Sequence, residues 1–468
     1  MILFELNARL HKKRLDALAD EHLPRLAALG FDWIWLMGIW TMGPKGVVMS
    51  RKYAPDFEGS PYAIAAYDVD PLLGGEAALQ TFVARAHALG IKVMADFVPN
   101  HLALDTPLID ADPAMVIHSN PAVRREYATD YYDHPKGRLA HGKDPYFEGW
   151  NDTVQLDFAY PPLRAHQIAQ LEHIAGLVDG VRCDMAMLVL REHVKKSWFS
   201  GVDQASFDAA YPREFWDEAV TAVRAERPDF VFMAEVYWDN EPRLQELGFD
   251  YTYNKKLYDQ LAHHAPSAEI AAQIAHWPRR YLERSVHFLE NHDEERAAHR
   301  FGRRTRPSAI LSYALPGAVF VHQGQMEGFT EKLPVQRREP LLREVPNAAL
   351  RTFYERLLGL IRRPIFRDAE LKVLGAEADV ILALRRRGEE RVLIGADPGG
   401  HRHPKSPPFA ISLDSVGLAP DATVRAIDLW TGAAVVTTSV SGMLVFAEGA
   451  VPSWPENHAF LLDLTPTP

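Results

Sequence analysis

The chain has 468 residues, 47% of them apolar and 24% charged, with 29 glycines and 33 prolines. This is ordinary globular composition: it excludes a disordered, collagenous or coiled-coil protein and is enough chain for two or three domains, or for one large α/β barrel with an appendage. A net charge of −11 argues against a nucleic-acid-binding face, and a single cysteine, Cys183, excludes an intrachain disulfide and a cysteine-rich zinc site.

The opening MILFELNARLHKK places a short apolar run ahead of its charges, unlike a secretory signal, and no run approaches the 18 or so apolar residues of a membrane span. The expectation is a cytoplasmic protein with no membrane partner. Ile2–Leu6 reads as a strand, His22–Leu29 as a helix ended by Gly30, and Asp32–Trp40 as one buried strand. Glu76–Leu89 carries apolar residues at helical spacing and stops at Gly90, and Ile91–Val98 is the next strand. Residues 101–155 are polar and rich in Pro, Asp, Tyr and His, which predicts a small excursion after the third strand.

Further strands are expected at Gly180–Met185, Phe230–Val236, Phe249–Tyr253, Ser285–Glu290 and Ala318–His322, with helical stretches between them, most clearly Asn347–Ile361. Eight strand–helix alternations predict a (β/α)8 TIM barrel, built from residues 1–100 and 156–365, with 101–155 inserted after strand 3. From Phe366 the pattern changes to short strands separated by Gly, Pro and Asp: Leu371–Leu374, Val380–Arg385, Arg391–Ala396, Thr423–Asp428, Met443–Ala447 and Ala459–Leu464. Residues 366–468 are therefore expected to form an all-β sandwich domain.

Active sites of parallel β/α barrels lie at the C-terminal ends of the strands. Here the third strand delivers Asp96 and then Asn100-His101, the fourth Arg182 and Asp184, the fifth Glu235, and the seventh Glu290-Asn291-His292-Asp293. Any one such acid is an ordinary turn or helix-cap residue. Four strand ends of this kind in chain order would instead converge on one mouth. Two carboxylates flanking a bond suit glycoside hydrolysis: a nearby arginine keeps one ionised as nucleophile, and the other, crowded by the first, retains a proton as acid. Cys183 alternates with Arg182 and Asp184, so it faces away and packs. Of the aromatic residues, Trp33 and Trp35 read as core, while Trp150, Tyr237 and Trp238 are candidate sugar-stacking positions.

These residues carry a resemblance. ADFVPNH (residues 95–101), GVRCD (180–184), MAEVYW (233–238) and FLENHD (288–293) resemble, in order, four motifs of the α-amylase family, glycoside hydrolase family 13; SPYAIAAY (60–67) and LPGAVFVHQGQ (315–325) resemble two more. The steps from Asp96 to Asp184, Glu235 and Asp293 are 88, 51 and 58 residues. The resemblance implies Asp184 as nucleophile, Glu235 as general acid/base and Asp293 as the third carboxylate, which steadies the distorted sugar. It implies that Arg182 orients Asp184, that His101 and His292 bind sugar hydroxyls, that Tyr62 stacks beneath the reacting glucose, and that Asp96 and Asn100 support the site from behind.

The chain also departs from the family. Many of its α-amylases read D-A-x-K-H after the nucleophile strand, where this chain has Met187 and Leu188; exo-acting relatives carry Asp after the motif tyrosine, where this chain has Ala63. The expected activity is a retaining hydrolase of α-glucans or oligosaccharides. A transglycosylase of the same family and a catalytically inactive sugar-binding homologue are the alternatives; all three carboxylates are present, against the last. A metal-dependent barrel enzyme is disfavoured because no HExxH-type spacing occurs. No cofactor is expected, and any calcium, drawn from Asn100, Asp152 or Asp157 and the Leu188 carbonyl, would be structural. Substrate linkage and oligomeric state are not legible.

Overall fold

The computed structural model describes residues 1–119, 128–339, 344–401 and 404–467. Eight strands, β1 (Ile2–Asn7), β2 (Trp33–Met37), β3 (Lys92–Phe97), β4 (Gly180–Cys183), β5 (Val231–Ala234), β6 (Tyr251–Tyr253), β7 (Ser285–His287) and β8 (Ala318–His322), close into a barrel in the order β1-β8-β7-β6-β5-β4-β3-β2. Strands of such a barrel are covered by helices outside and packed side chains within, so they read as unbroken apolar runs. β1 and β2 are buried at every position.

Contacts divide the chain into two compact units, Leu3–Tyr253 with Leu333–Leu342, and Met1–Ile2 with Asn254–Lys332 and Arg343–Pro468. In the first, parallel registers set Asp96 of β3 opposite Arg182 of β4, and Arg182 opposite Met233 of β5. Helices α1 (Leu15–Leu29), α2 (Gly75–Ala88), α3 (Pro161–Leu177) and α4 (Phe215–Glu226) alternate with these strands. α1 begins about two turns before the expected His22, because Leu15, Leu18 and Ala19 extend the buried stripe of Leu23 and Leu26.

Asp32–Trp40 is not one strand. β2 ends at Met37, Gly38 turns the chain with φ +77°, and Trp40–Met42 forms a separate short strand antiparallel to Ile64–Val69. A side chain at Gly38 would bring its Cβ to 2.9 Å from the Pro61 Cβ, so the break requires glycine. The excursion after β3 is tied back by His101–Ala103 pairing with Thr153–Gln155, and it carries a hairpin of Tyr131–His134 and Gly137–Ala140. Residues 120–127 of it lie outside the described chain.

The second unit contains β7, β8 and helices α5 (Lys255–Ala262), α6 (Ser267–His276), α7 (Thr305–Tyr313) and α8 (Ala348–Ile361). Asn347 caps α8 by accepting from the Leu350 N–H. The C-terminal strands β9 (Glu370–Glu377), β10 (Val380–Arg387), β11 (Glu390–Ala396), β12 (Phe409–Ser412), β13 (Thr423–Asp428), β14 (Ala434–Val435), β15 (Thr437–Val440), β16 (Met443–Phe446) and β17 (Ala459–Thr467) form two sheets, β9-β10-β11-β17-β13-β14 and β12-β16-β15. Phe409 stacks on both Phe446 and Phe460, at 4.3 and 5.2 Å, in a core shared by the two sheets. Buried Arg385 of β10 donates to the Phe366 carbonyl at 2.8 Å, and Phe353 of α8 stacks on Trp430, which fastens this sandwich to the helices of its unit.

Candidate active site

Asp184 and Glu235 follow directly on β4 and β5. The parallel ladder continues past both strand ends: the Asp184 N–H donates to the Phe97 carbonyl at 2.8 Å and the Glu235 N–H to the Cys183 carbonyl at 3.0 Å. Both side chains are thereby held at the C-terminal mouth of these strands. Cys183, on the opposite face, is fully buried.

Arg182 is the centre of the arrangement. It is 0% exposed, with Nη1 2.8 Å from Asp184 Oδ1 and 3.7 Å from Asp96 Oδ1, and Nη2 2.8 Å from Glu235 Oε2. Its Nε lies 3.4 Å from the Tyr253 hydroxyl, and the rings of Trp35, Tyr62 and Tyr253 surround the guanidinium at 5.0, 5.4 and 5.7 Å. Burial works against its charge, but Glu235, Tyr253, Tyr62 and Asp184 together hold it protonated well above the ordinary range. The arginine thus serves both carboxylates, where the sequence suggested service to Asp184 alone.

Backbone strain marks the same spot. Met185 sits in the left-handed region at φ 43°, and this conformation aims its N–H at Glu235 Oε2, 2.8 Å away. Glu235 Oε1 meets the Tyr237 hydroxyl at 2.6 Å. Asp96 is buried and accepts from the Gly38 N–H at 3.1 Å, so it braces the β2 turn as well as the arginine.

His101 is buried against Trp150, with ring centroids 4.9 Å apart, and its pKa is lowered to about 4 by burial, partly countered by Asp152 and by a hydrogen bond to the Tyr62 backbone. It is therefore neutral above about pH 5 and offers a hydrogen bond rather than a charge. Because the folded state resists protonation, His101 contributes stability above pH 6.5 that is lost as pH falls toward 4, up to about 3 kcal/mol. Replacing it with Gln removes this loss. The destabilisation of His101→Gln relative to wild type, measured by urea unfolding, is expected to shrink by up to that amount between pH 7 and pH 4; an unchanged difference would contradict a neutral, buried His101.

In the second unit, the run after β7 divides its residues. Glu290 points inward, fully buried, to Arg296 at 2.8 Å, His322 at 3.1 Å and the Ala297 N–H at 2.6 Å. Burial raises its pKa to about 7. It is an internal brace rather than one of a ring of exposed acids. Asn291 Oδ1 accepts from the N–H groups of Asp293 and Glu294, and buried His292 places Nε2 2.9 Å from Asp293 Oδ2, whose side chain is 52% exposed.

Of the residues expected for calcium, Asn100 and Asp157 have hydrogen-bonded oxygens. Gln155 Nε2 donates to the Asn100 carbonyl at 2.9 Å, to Asn100 Oδ1 at 3.0 Å and to the Leu156 carbonyl at 3.2 Å, so a neutral amide occupies the convergence of three oxygens. Asp157 Oδ1 accepts from the Ala159 N–H at 2.9 Å. Calcium needs six to eight oxygen ligands, and the described residues contain no cluster of three or more His, Cys, Asp or Glu suited to a metal.

The catalytic-domain profile of the α-amylases, described as "Alpha amylase, catalytic domain", matches residues 18–350. This chain belongs to the α-amylase family. Among its relatives, the family member is 28% identical over 321 residues to "Alpha-amylase MalA" of Haloarcula japonica, covering 67% of this chain and 41% of that protein. It is 27% identical over 256 residues to the "Alpha-1,4-glucan:maltose-1-phosphate maltosyltransferase" of Salinibacter ruber, covering 50% of this chain and 32% of that one. The chain thus spans less than half the length of either relative. The fold matches "a noncanonic maltogenic alpha-amylase AmyB from Thermotoga neapolitana" with a TM-score of 0.75 at 21% identity, covering 99% of this chain and 98% of that one. Met187 and Leu188 are buried in a single 3-10 turn, Ala186–Val189, so this family member presents no lysine side chain from that turn.

Sequence reasoning missed Tyr253, because Phe249–Tyr253 is a weak strand by pattern. It left Trp35 in the core, where it also faces the Arg182 cation. Tyr237 was noted for its ring and not for its hydroxyl. No helix among the described residues is long and apolar enough to cross a membrane.

Proposed function

We propose that this family member is a retaining glycosidase of α-glucosidic bonds, with Asp184 as nucleophile, Glu235 as general acid/base and Asp293 as the third carboxylate. The observation that carries the reading is the single buried guanidinium whose two terminal nitrogens hold Asp184 and Glu235, each at 2.8 Å. Two acids sharing one cation at adjacent strand ends suit the close spacing of a double-displacement mechanism. Asp184 attacks the anomeric carbon while Glu235 protonates the departing oxygen; Glu235 then takes a proton from water, which releases the sugar with its original configuration. Tyr62, His101 and His292 hold the reacting sugar's hydroxyls and face, with Asp96 and Asn100 behind them. The substrate is an α-glucan or an oligosaccharide derived from one. The maltosyltransferase name of the Salinibacter relative favours transfer to another sugar as the second reading. We place the enzyme in the cytoplasm, in keeping with its single buried thiol.

The test is incubation with maltose, maltotriose, trehalose, sucrose, isomaltose and starch, with early products resolved by chromatography and their anomers by NMR. The expected first product is the α-anomer from one or more of these. A β-anomer would overturn the mechanism, and longer products appearing before glucose would favour transfer.

Bond cleavage by a carboxylate pair needs no Lewis acid, so catalysis here is proposed to draw on no metal. Dialysis against EDTA is expected to leave both activity and melting temperature unchanged. Activity lost and then restored by added calcium would refute this.

A further inference from the structure

The two oxygens of Glu235 have different surroundings. Oε2 faces Arg182 Nη2 and the Met185 N–H, both at 2.8 Å and neither able to accept a hydrogen bond. The Met185 N–H donates to Oε2, while Nη2 meets it as an ion pair without hydrogen-bond alignment, so a proton on Oε2 would face a cation and an N–H. Oε1 faces the Tyr237 hydroxyl at 2.6 Å, and a hydroxyl can donate to a carboxylate or accept from a carboxylic acid.

We propose that Tyr237 is a positioning residue for the acid/base: its hydroxyl turns Glu235 Oε1 toward the leaving group, makes that oxygen the one that carries the proton, and stabilises it once the proton has gone. The proposal rests on Glu235 being the acid/base. In bond cleavage the proton on Oε1 passes to the glycosidic oxygen, and the Tyr237 O–H then donates to the carboxylate left behind. In hydrolysis water returns a proton to Oε1, and the hydrogen bond donated by Tyr237 weakens as the carboxylate is neutralised.

The local backbone is built to hold this hydroxyl in place. Glu235 and Tyr237 are two residues apart and so lie on one side of an extended chain. Immediately after them Trp238 and Asp239 both adopt left-handed φ, 60° and 58°, which is uncommon for one non-glycine residue and rarer for two in succession. Asn240 Nδ2 pins the turn by donating to the carbonyls of Tyr237 at 2.9 Å and Trp238 at 3.2 Å. Trp238 packs edge-on against Tyr146 at 5.1 Å and near His193 at 5.8 Å. The strain is thus held from both the backbone and the side-chain side, and its visible product is the placement of Tyr237.

Tyr237→Phe keeps the ring and deletes only the oxygen. On a maltooligosaccharide, whose leaving group needs protonation, kcat/KM is expected to fall roughly 10- to 100-fold, in keeping with one hydrogen bond to a charged group. On an aryl α-glucoside with a strongly acidic phenol the loss is expected to stay within about threefold, because that group departs with little proton assistance. The alkaline limb of the kcat/KM profile is expected to move up by about one pH unit, since the lost donor no longer favours the ionised carboxylate. Equal losses on both substrates with an unmoved pH profile would reduce Tyr237 to a packing or stacking role. Glu235→Gln, run beside it, separates the two readings. If it shows the leaving-group signature and Tyr237→Phe does not, only the present proposal falls; if Glu235→Gln lacks the signature, the acid/base assignment itself falls.

Discussion

Asp184→Asn is expected to lower turnover roughly 10⁴-fold or more on the best substrate while leaving the melting temperature unchanged or slightly raised. The activity falls because the amide cannot form the glycosyl ester through which a double displacement proceeds. The fold survives because asparagine matches aspartate in shape and its Oδ1 still accepts from Arg182 Nη1, the contact made at 2.8 Å in the native protein. Around Arg182 stand three carboxylates, Asp96, Asp184 and Glu235, so one cation faces three potential anions. Removing one of those charges relieves repulsion rather than leaving a cation unpaired. Steady-state kinetics and a thermal melt on the same preparation check both halves. Retention of more than a few per cent of activity would remove Asp184 from the nucleophile's role.

Arg182→Met is expected to produce the largest loss of stability of any single substitution at the site, about 3–5 kcal/mol. The native guanidinium is fully buried and receives compensation from Asp184 and Glu235 at 2.8 Å and from three aromatic faces. Methionine fills most of the volume but leaves the acids confronting one another away from water. Activity is expected to vanish with the arginine, since the proposed nucleophile and the proposed acid/base both lose their common anchor. Arg182→Lys is expected to recover part of the stability and little of the activity: an ammonium is a point charge and does not span two carboxylates as a planar fork does. Urea unfolding of the three proteins gives the ranking. A methionine variant as stable as wild type would show that the carboxylates do not depend on this cation.

Much of the architecture is legible in the amino-acid order because burial leaves a periodic mark. Strands covered on both faces must be apolar throughout, so the barrel strands announce themselves as runs such as WIWLM, and the change to short strands near Phe366 marks the sandwich. The pairing of Arg182 with Asp184 is also local, since residues two apart on a strand share a face. Short elements escaped: β14 has two residues and β15 is largely exposed, so neither alternation nor an apolar run distinguishes them from loop, and β12 alternates buried with half-buried residues over only four positions.

What the order of residues does not contain is which buried groups meet. Asp96 stands beside Arg182 only because the register of β3 against β4 places them opposite each other across 86 residues of chain. Glu290 and Asp293 sit three residues apart in one motif, yet the chain after β7 turns the first into a buried ion pair with Arg296 and leaves the second half exposed. Gln155 closes on the oxygens of Asn100 because two short strands bring the ends of the excursion together. Sequence by itself determined the barrel, the sandwich and the family, and it singled out the acids now proposed to act. The tertiary structure decided the partner of each acid. Hydrogen bonds and ion pairs depend on distance and direction to a few tenths of an ångström, whereas the periodicity of a sequence records only which side of an element avoids water.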